Sequence, residues 1–261
     1  MVDTAVVFLV RGADANWRSG VERFAASLAT TPAGCSYKFY VVAKGFASGM
    51  EKAAAIGRLM HFEPTVVEVS DDAFDIGAYR DAMASIGEEL VCFMNTHAEI
   101  LAPGWLRKLV IAIRRPGMGM VGATGSFESL SQIDVHFPAF PNVHIRTNAF
   151  MIRRLDTAGM LASLSIRDKL DAFMVESGPR SLTRRLVERG LDVAVVARSG
   201  RPYSPPLWPW SGTYRQQDQH SLLIGDNQTR AYRDAPWASK RDLVRRTWGH
   251  HLQLGNRLSW G

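Results

Sequence analysis

An uninterrupted apolar run at residues 90–94 ends abruptly in polar residues and constrains the fold of this chain more than any other feature. The run reads LVCFM and is followed by Asn95, Thr96 and His97, and then by Glu99. A strand without polar positions is typical of a parallel sheet whose two faces are both buried. Ligands bind at the carboxyl ends of such strands, so these polar residues are candidate site residues. The alternative is a simple turn at Asn95 and Thr96 beside a solvated His97.

Composition indicates an ordinary globular protein. The chain has 261 residues, of which 46% are hydrophobic, and this is enough for a sizeable core. Its two cysteines, Cys35 and Cys92, suggest neither a disulfide framework nor a zinc site. The N-terminal segment carries no basic leader, and no run of about 18 apolar residues occurs. We therefore expect a cytoplasmic protein, either soluble or peripheral at the inner face of the membrane.

Basic charge is concentrated in the last third of the chain. The formal net charge is +6, and from Ser181 onward 13 Lys or Arg residues face 6 Asp or Glu residues. This excess indicates a polyanionic partner such as a diphosphate or an anionic membrane, or else a solvated basic face. Residues 238–248 are predicted to form a basic amphipathic helix that lies on such a membrane or packs on its own domain. No nucleic-acid partner is expected, because base-reading helices and RNA-stacking motifs are absent from the sequence.

Strand and helix patterns alternate along the first 200 residues. Strands are predicted at 5–10, 37–43, 65–69, 90–94, 119–124, 149–152 and 193–197. Helices are predicted at 17–28, from after residue 46 to about residue 60, and at 78–86, 105–114, 155–164, 166–175 and 181–189. This alternation predicts an α/β fold with a mostly parallel sheet flanked by helices. Residues 1–200 are expected to form one domain, with 201–261 as an irregular basic extension that packs on it and serves as an acceptor site or lid.

Five motifs occur in an order that carries a family resemblance. They read DDAFDIGAYRDAM, FMNTHAEILAPGWL, GMVGATG, HIRTNAFMIRR and SLTRRLVERGLDV. In this order, over about residues 4–200, the chain resembles the family-2-type GT-A glycosyltransferases, and the departure is that Asn95-Thr96-His97 stands where most relatives have Asp-x-Asp. The resemblance implies a Rossmann-like GT-A fold and inverting transfer of a hexose or deoxyhexose from a nucleotide-sugar donor to a saccharide or lipid-linked acceptor, as in the synthesis of bacterial cell-envelope polysaccharides. The alternative is a GT-A-like domain that binds a nucleotide or glycan without catalysis.

Donor contacts follow from the resemblance and from the expected strand ends. In the family an arginine after the third strand lies near the nucleotide, and Arg80 stands in that place with Asp75 before it. Loops at the carboxyl side of the sheet bring further polar residues, among them His144 and Arg146. The expected donor-binding residues are Arg11, Asp75, Arg80, Asn95, His97 and Asn148.

Use of a metal ion is an open question at this stage. In the family the Asp-x-Asp carboxylates hold a divalent cation, Mg²⁺ or Mn²⁺, against the donor diphosphate, and an amide with an imidazole is a poorer ligand set for such a hard ion. Either Glu99, or a residue from elsewhere such as His144, completes a weaker metal site with His97, or cationic side chains neutralise the diphosphate without metal.

A single carboxylate is sufficient as the base of an inverting transfer, because the diphosphate is already a good leaving group. The family places this carboxylate shortly before a helix that here reads SLTRRLVERG, so Glu176 is the expected catalytic base. The spacing departs by two residues and the usual second carboxylate is absent, so Asp171 is the alternative base. Glu176 as a simple helix-end residue is the structural alternative.

Overall fold

The computed structural model describes residues 2–70, 75–162 and 169–252 of the chain. The strands are β1 Thr4–Arg11, β2 Lys38–Lys44, β3 Thr65–Glu68, β4 Leu90–Met94, β5 Glu99–Ile100, β6 Met118–Gly122, β7 Gly125–Ser126, β8 His144–Ile145, β9 Ala149–Arg153, β10 Asp192–Val196, β11 Pro202–Tyr203 and β12 Ile224–Gly225. The α-helices are α1 Trp17–Thr30, α2 Gly49–Gly57, α3 Asp75–Ala82, α4 Trp105–Ile113, α5 Arg154–Ala162, α6 Lys169–Ser177, α7 Leu182–Glu188, α8 Asn227–Asp234 and α9 Trp237–Trp248.

An eight-stranded sheet forms the centre of the fold, in the order β11-β10-β6-β9-β4-β1-β2-β3. β1 runs parallel to β2 and β4, and β2 runs parallel to β3. The predicted α/β fold with a mostly parallel sheet flanked by helices is therefore confirmed. The apolar run at Leu90–Met94 is the central strand β4, and all five of its residues are buried.

Each face of the sheet carries its own hydrophobic core, because side chains alternate along β1. Val7 and Leu9 point into a core shared with α3, α6 and the C-terminal helices. Phe8 points to the opposite face, where its ring stacks on Phe24 of α1 at a centroid distance of 3.7 Å. Both faces are covered, which explains why this strand tolerates no polar side chain between Ala5 and Val10.

β9 runs antiparallel to both of its neighbours, β4 and β6. The predicted buried strand is present at this position, but its direction was not indicated by the apolar pattern. The reversal has a consequence for the site, because the start of an antiparallel strand lies at the same edge as the ends of its parallel neighbours. Asn148, the residue before β9, is thereby brought next to the residues that follow β4.

The part of the chain after residue 200 is built into the same structure. β11 extends the edge of the main sheet and β12 pairs with β5. Trp208 and Trp248 are fully buried in one of the two cores, and the Trp248 indole donates a hydrogen bond to the Tyr214 carbonyl at 3.0 Å. The predicted basic helix is α9, and its Trp248 faces the core of the protein rather than its surface. In the part of the chain that the structure describes, no helix has the length and apolar character needed to cross a bilayer.

Candidate functional site

The ends of β1 and β4 and the start of β9 lie together at one edge of the sheet, where the strand order reverses between β1 and β4. The Arg11 amide, at the end of β1, donates to the Thr96 hydroxyl at 3.1 Å. The Asn95 amide, just after β4, donates to the Asn148 carbonyl at 3.0 Å. In open α/β sheets the crevice outside the strand ends at such a reversal is where ligands bind. Four residues of the predicted site region are therefore joined at this edge by hydrogen bonds.

Asn95 and His97 form a tight turn after β4. The Asn95 side-chain oxygen accepts a hydrogen bond from the His97 amide at 3.2 Å, and its carbonyl accepts one from the Ala98 amide at 3.0 Å. Helix α1 approaches this turn closely, since a Cβ on Gly20 would lie 2.5 Å from the Thr96 carbonyl oxygen. The turn interpretation is thus correct in geometry, and because the Asn95 side-chain oxygen accepts from the His97 amide, its NH₂ is the remaining donor of this side chain.

Asn148 is buried beneath the strand ends, with 4% of its surface exposed. Its side-chain oxygen accepts a hydrogen bond from the Thr124 hydroxyl at 2.8 Å. Its side-chain nitrogen is buried and has no hydrogen-bond partner among the described residues. A buried donor left unpaired costs about 1–3 kcal/mol, so this amide is a candidate for pairing with an acceptor on a bound molecule.

Asp14 joins the turn to the loop after β1. One of its carboxylate oxygens lies 3.3 Å from the Arg11 guanidinium, and the other lies 3.5 Å from His97 Nε2. Burial raises the pKa of Asp14, but the His97 ring and the Arg11 charge outweigh burial and hold this pKa below its usual value. Asp14 is therefore ionised at neutral pH and orients both predicted donor-binding residues.

Glu99 lies in β5 and forms an ion pair with Arg230 of α8 at 3.0 Å. Both terminal nitrogens of Arg230 also donate to the His97 carbonyl, each at 3.3 Å. A guanidinium in this place repels a divalent cation. Residues 2–70, 75–162 and 169–252 contain no group of three or more His, Cys, Asp or Glu side chains arranged to hold a metal ion. As it stands, the His97 and Glu99 pair does not fit Mg²⁺ or Mn²⁺.

Glu176 lies near the end of α6, half-buried, and reaches the loop between β8 and β9. Its Oε1 accepts a hydrogen bond from the Thr147 amide at 2.9 Å, while Oε2 makes no hydrogen bond to any described residue. Thr147 directly precedes Asn148, so the carboxylate approaches the same edge of the sheet as the strand ends. Asp171, the alternative base, lies in the first turn of the same helix.

Helix α3 packs against α6 and carries Arg80. The buried Tyr79 ring fixes this helix on the sheet, with its centroid 4.5 Å from that of Phe93 in β4. The Arg80 guanidinium lies 2.7 Å from the Asp81 carboxylate. Asp75 is the first residue of α3, and its side chain lies outside the described part of the structure.

Arg146 connects the site to the C-terminal part of the chain. It forms a buried ion pair with Asp226 at 2.8 Å, and its guanidinium lies 4.2 Å from the centroid of the Tyr214 ring. Burial lowers the pKa of Arg146, but the Asp226 charge outweighs it and raises this pKa, so both groups are charged. A nearby ring, His144, donates through Nδ1 to the Asn142 carbonyl at 2.8 Å, and burial lowers its pKa. Arg146 is thus fully engaged by protein groups.

Comparison with known proteins gives no family assignment. No family model matches the chain, and no curated protein matches it. Similarity is found among solved structures, at low identity. One is 4-diphosphocytidyl-2C-methyl-D-erythritol synthase from Anaerococcus prevotii, with a TM-score of 0.49, 12% identity, and coverage of 75% of this chain and 86% of that one.

Two further solved structures are similar to the same extent. A mannosyltransferase from Pyrobaculum calidifontis in complex with GDP-mannose and Mn²⁺ has a TM-score of 0.47 and 14% identity, with coverage of 74% of this chain and 54% of that one. A CMP:2-keto-3-deoxy-manno-octonic acid synthetase complexed with CTP has a TM-score of 0.44 and 11% identity, with coverage of 73% and 88%. This chain therefore spans about half of the mannosyltransferase.

Several residues of this region were not predicted as site residues. Asp14 follows Arg11 by three positions in the loop after a strand, and this spacing is a usable signal for a local ion pair. Asp226 and Thr229 form a capping box at the start of α8, which the sequence pattern Asp-x-x-Thr could have indicated. Arg230 carried no such signal, because its contact with Glu99 depends on how α8 packs against β5.

Proposed function

We propose that this protein is a glycosyltransferase that moves a sugar from a nucleotide-sugar donor to a saccharide or lipid-linked acceptor with inversion. The observation that carries the proposal is that hydrogen bonds connect the end of β1 and the start of β9 to the turn after β4, at the point where the strand order reverses. The residues at these three positions are Arg11, Asn148 and Asn95. A nucleotide-binding crevice is expected at that point of an open α/β sheet.

The donor lies along this edge of the sheet. Arg80 on α3 contacts the nucleotide side, in keeping with its place in the family resemblance. The unpaired Asn148 amide is a buried donor suited to an oxygen of the donor molecule. Arg11 and His97, held by Asp14, add directed donors beside it. These groups bind by hydrogen bonds and charge, so binding needs no rearrangement of the sheet.

Glu176 acts as the general base. The Thr147 amide holds one carboxylate oxygen and leaves the other free of hydrogen bonds to described residues, and this arrangement orients the second oxygen towards an incoming hydroxyl. The acceptor oxygen attacks the anomeric carbon, its proton passes to Glu176, and the nucleoside diphosphate leaves from the opposite face. We derive no step through a metal ion, because His97 and Glu99 do not fit one.

The segment from residue 201 to the C-terminus contributes the acceptor side of the site. Trp210 exposes 61% of its surface within the 3₁₀ helix Pro205–Trp210, while the neighbouring Trp208 is buried. An exposed indole held on a rigid proline-rich segment is a suitable platform for a sugar ring. The exposed arginines of α9 are available to an anionic acceptor such as a lipid-linked saccharide.

Binding without catalysis is the second candidate function. It is favoured by the contact between Glu176 and the Thr147 amide, which gives the carboxylate a structural role that requires no chemistry. The two candidates differ in the behaviour of Glu176→Gln: glutamine keeps an oxygen for the amide, so a structural role survives the substitution whereas a base does not.

A thermal-shift screen against UDP, GDP, CMP and dTDP sugars, each with Mn²⁺ or with EDTA, tests nucleotide binding and metal dependence together. We expect one nucleotide class to raise the melting temperature. The nucleotide sugar that binds is then assayed for hydrolysis and for transfer. Absence of any shift would refute the proposal, whereas binding without turnover in the wild type would favour the second candidate.

A further inference from the structure

A small polar cavity opens beside His97, between the first turn of α1 and helix α8. Its volume is about 350 Å³, and its lining includes Asp14, Asn16, Arg23, His97, Asn227 and Arg230. This volume is at the lower end of the range of small-molecule sites and suits one or two phosphate groups rather than a whole nucleotide. Asp14, His97 and Arg230 also belong to the site described above, whereas Arg23 has no role there.

Two arginines of like charge face this cavity. Burial lowers the pKa of Arg230, and the nearby charge of Arg23 lowers it further, so the two guanidinium groups repel each other. Glu99 compensates for one of these charges through its ion pair with Arg230. Arg23 is exposed and makes no hydrogen bond or ion pair with any described residue. Asp14, which also lines the cavity, is paired with Arg11 and His97, so Arg23 has no carboxylate partner among the described residues.

Two helices, α1 and α8, begin beside this cavity. Helix α1 spans 14 residues, its N-cap residue Asn16 makes no side-chain cap bond within the described structure, and its first turn holds no acidic residue. The start of α8, at Asn227, lines the cavity from the other side. Helix N-termini carry a partial positive charge and unpaired amide groups, and both favour a bound anion. The start of α1 adds to the arginine pair, whereas the start of α8 is already capped by the Asp226 carboxylate.

We propose that this cavity binds a diphosphate group through Arg23 and Arg230 without a metal ion. Two guanidinium groups offer the planar, multiply donating geometry that phosphate oxygens accept. The cavity begins at His97, two residues after Asn95, so under the proposed function its ligand is the diphosphate of the donor. The arginine pair then supplies positive charge at the place where the related enzymes use carboxylates and a cation. A free pyrophosphate has the same chemistry and is the second source of the ligand.

Isothermal titration of inorganic pyrophosphate into the full chain in EDTA tests the cavity independently of glycosyl transfer. We expect binding that weakens at high salt and weakens at least about tenfold in Arg23→Gln, which loses one charge-assisted contact. Arg230→Gln weakens binding as well, and Arg115→Gln, at an exposed arginine in the turn before β6, is the matched control with wild-type affinity. Thermal melts of each variant verify folding, and Arg23→Gln removes no hydrogen bond to any described residue.

Glu99→Gln should change the affinity for pyrophosphate in the opposite direction. It removes the anion that competes for Arg230, so it should tighten pyrophosphate binding in EDTA. A metal-ligating Glu99 instead predicts no binding by either protein in EDTA and weaker binding by the variant when Mn²⁺ is added. Absence of pyrophosphate binding in EDTA, or equal affinity in wild type and Arg23→Gln, would overturn the inference.

Failures of the two proposals are distinguishable. If pyrophosphate binds through Arg23 but no nucleotide sugar binds, the cavity is a site for another diphosphate and the proposed function fails. If a nucleotide sugar binds only with Mn²⁺ and independently of Arg23, the proposed function stands and this inference fails.

Discussion

The buried ion pair between Arg146 and Asp226 holds the C-terminal part of the chain against the edge of the sheet where the site lies. The two groups are 2.8 Å apart, and Asp226 exposes 1% of its surface. Asp226 also caps α8, since its side chain accepts a hydrogen bond from the Thr229 amide at 2.8 Å. Asparagine is an equally good N-cap residue. The substitution Asp226→Asn therefore removes the charge and keeps the cap.

Removal of one partner from a buried ion pair leaves the other charge uncompensated and costs about 3–5 kcal/mol. We expect about 3 kcal/mol for Asp226→Asn, because Arg146 retains the Tyr214 ring at 4.2 Å and the Thr124 hydroxyl at 3.3 Å. For a chain of this size that loss lowers the melting temperature by roughly 6–12 °C. Asp226→Ala also loses the cap, so it should cost about 1 kcal/mol more.

Urea denaturation followed by circular dichroism measures these losses. The control is Asp218→Asn, because Asp218 is exposed and should change the free energy of unfolding by less than about 0.5 kcal/mol. A double-mutant cycle with Arg146→Met isolates the interaction, and the double variant should be more stable than the sum of the two losses predicts. If the free energy of unfolding of Asp226→Asn lies within about 0.5 kcal/mol of that of the wild type, the ion pair does not hold this part of the chain in place.

Three further predictions concern the site. Glu176→Gln should lower the transfer rate by about 10²–10⁴-fold while donor affinity stays within about twofold, and near-normal turnover in a transfer assay would remove Glu176 as the base. The folded-state pKa values of Asp14 and Asp226 lie below their unfolded values, so the stability they contribute is fully present above about pH 4 and is lost as the pH falls through the folded values. Acid titration of wild type and Asp226→Asn checks this, since the variant should lose less stability. Gly20→Ala should cost about 1–3 kcal/mol and weaken donor binding, because its Cβ would lie 2.5 Å from the Thr96 carbonyl and displace the turn, and calorimetry with the donor would detect both effects.

Local patterns predicted the elements of the fold well. Residues 90–94 were expected as a strand buried on both faces, and β4 has these bounds with every residue buried. The parallel pairing of the first four strands followed from the alternation of strands and helices. The direction of β9 could not follow in the same way, because a short apolar run such as residues 149–152 is equally suited to either direction in a covered sheet.

The chemistry of the site depends on contacts that local patterns do not contain. The turn at Asn95 and the ion pair of Asp14 are short-range, and the residue types at those positions were sufficient to suggest them. Arg230 reaches Glu99 across 131 positions in the chain, and its contact depends on β12 pairing with β5. From the sequence alone, His97 and Glu99 are candidate ligands of a divalent cation, because nothing in the local pattern indicates the contact between Glu99 and Arg230.

The contact with Arg230 reverses the electrostatic argument for Glu99. A carboxylate beside an imidazole attracts a cation when both face solvent, but a carboxylate already paired with a guanidinium contributes almost no net field to a third group. Arg23 then adds a charge that Glu99 does not balance, and the Asp14 carboxylate at the same cavity is already paired with Arg11 and His97. His97 lines this cavity and Glu99 pairs with Arg230 beside it, so the two candidate metal ligands lie next to the proposed anion site. The response of Glu99→Gln to pyrophosphate, in EDTA and with added Mn²⁺, decides between the two.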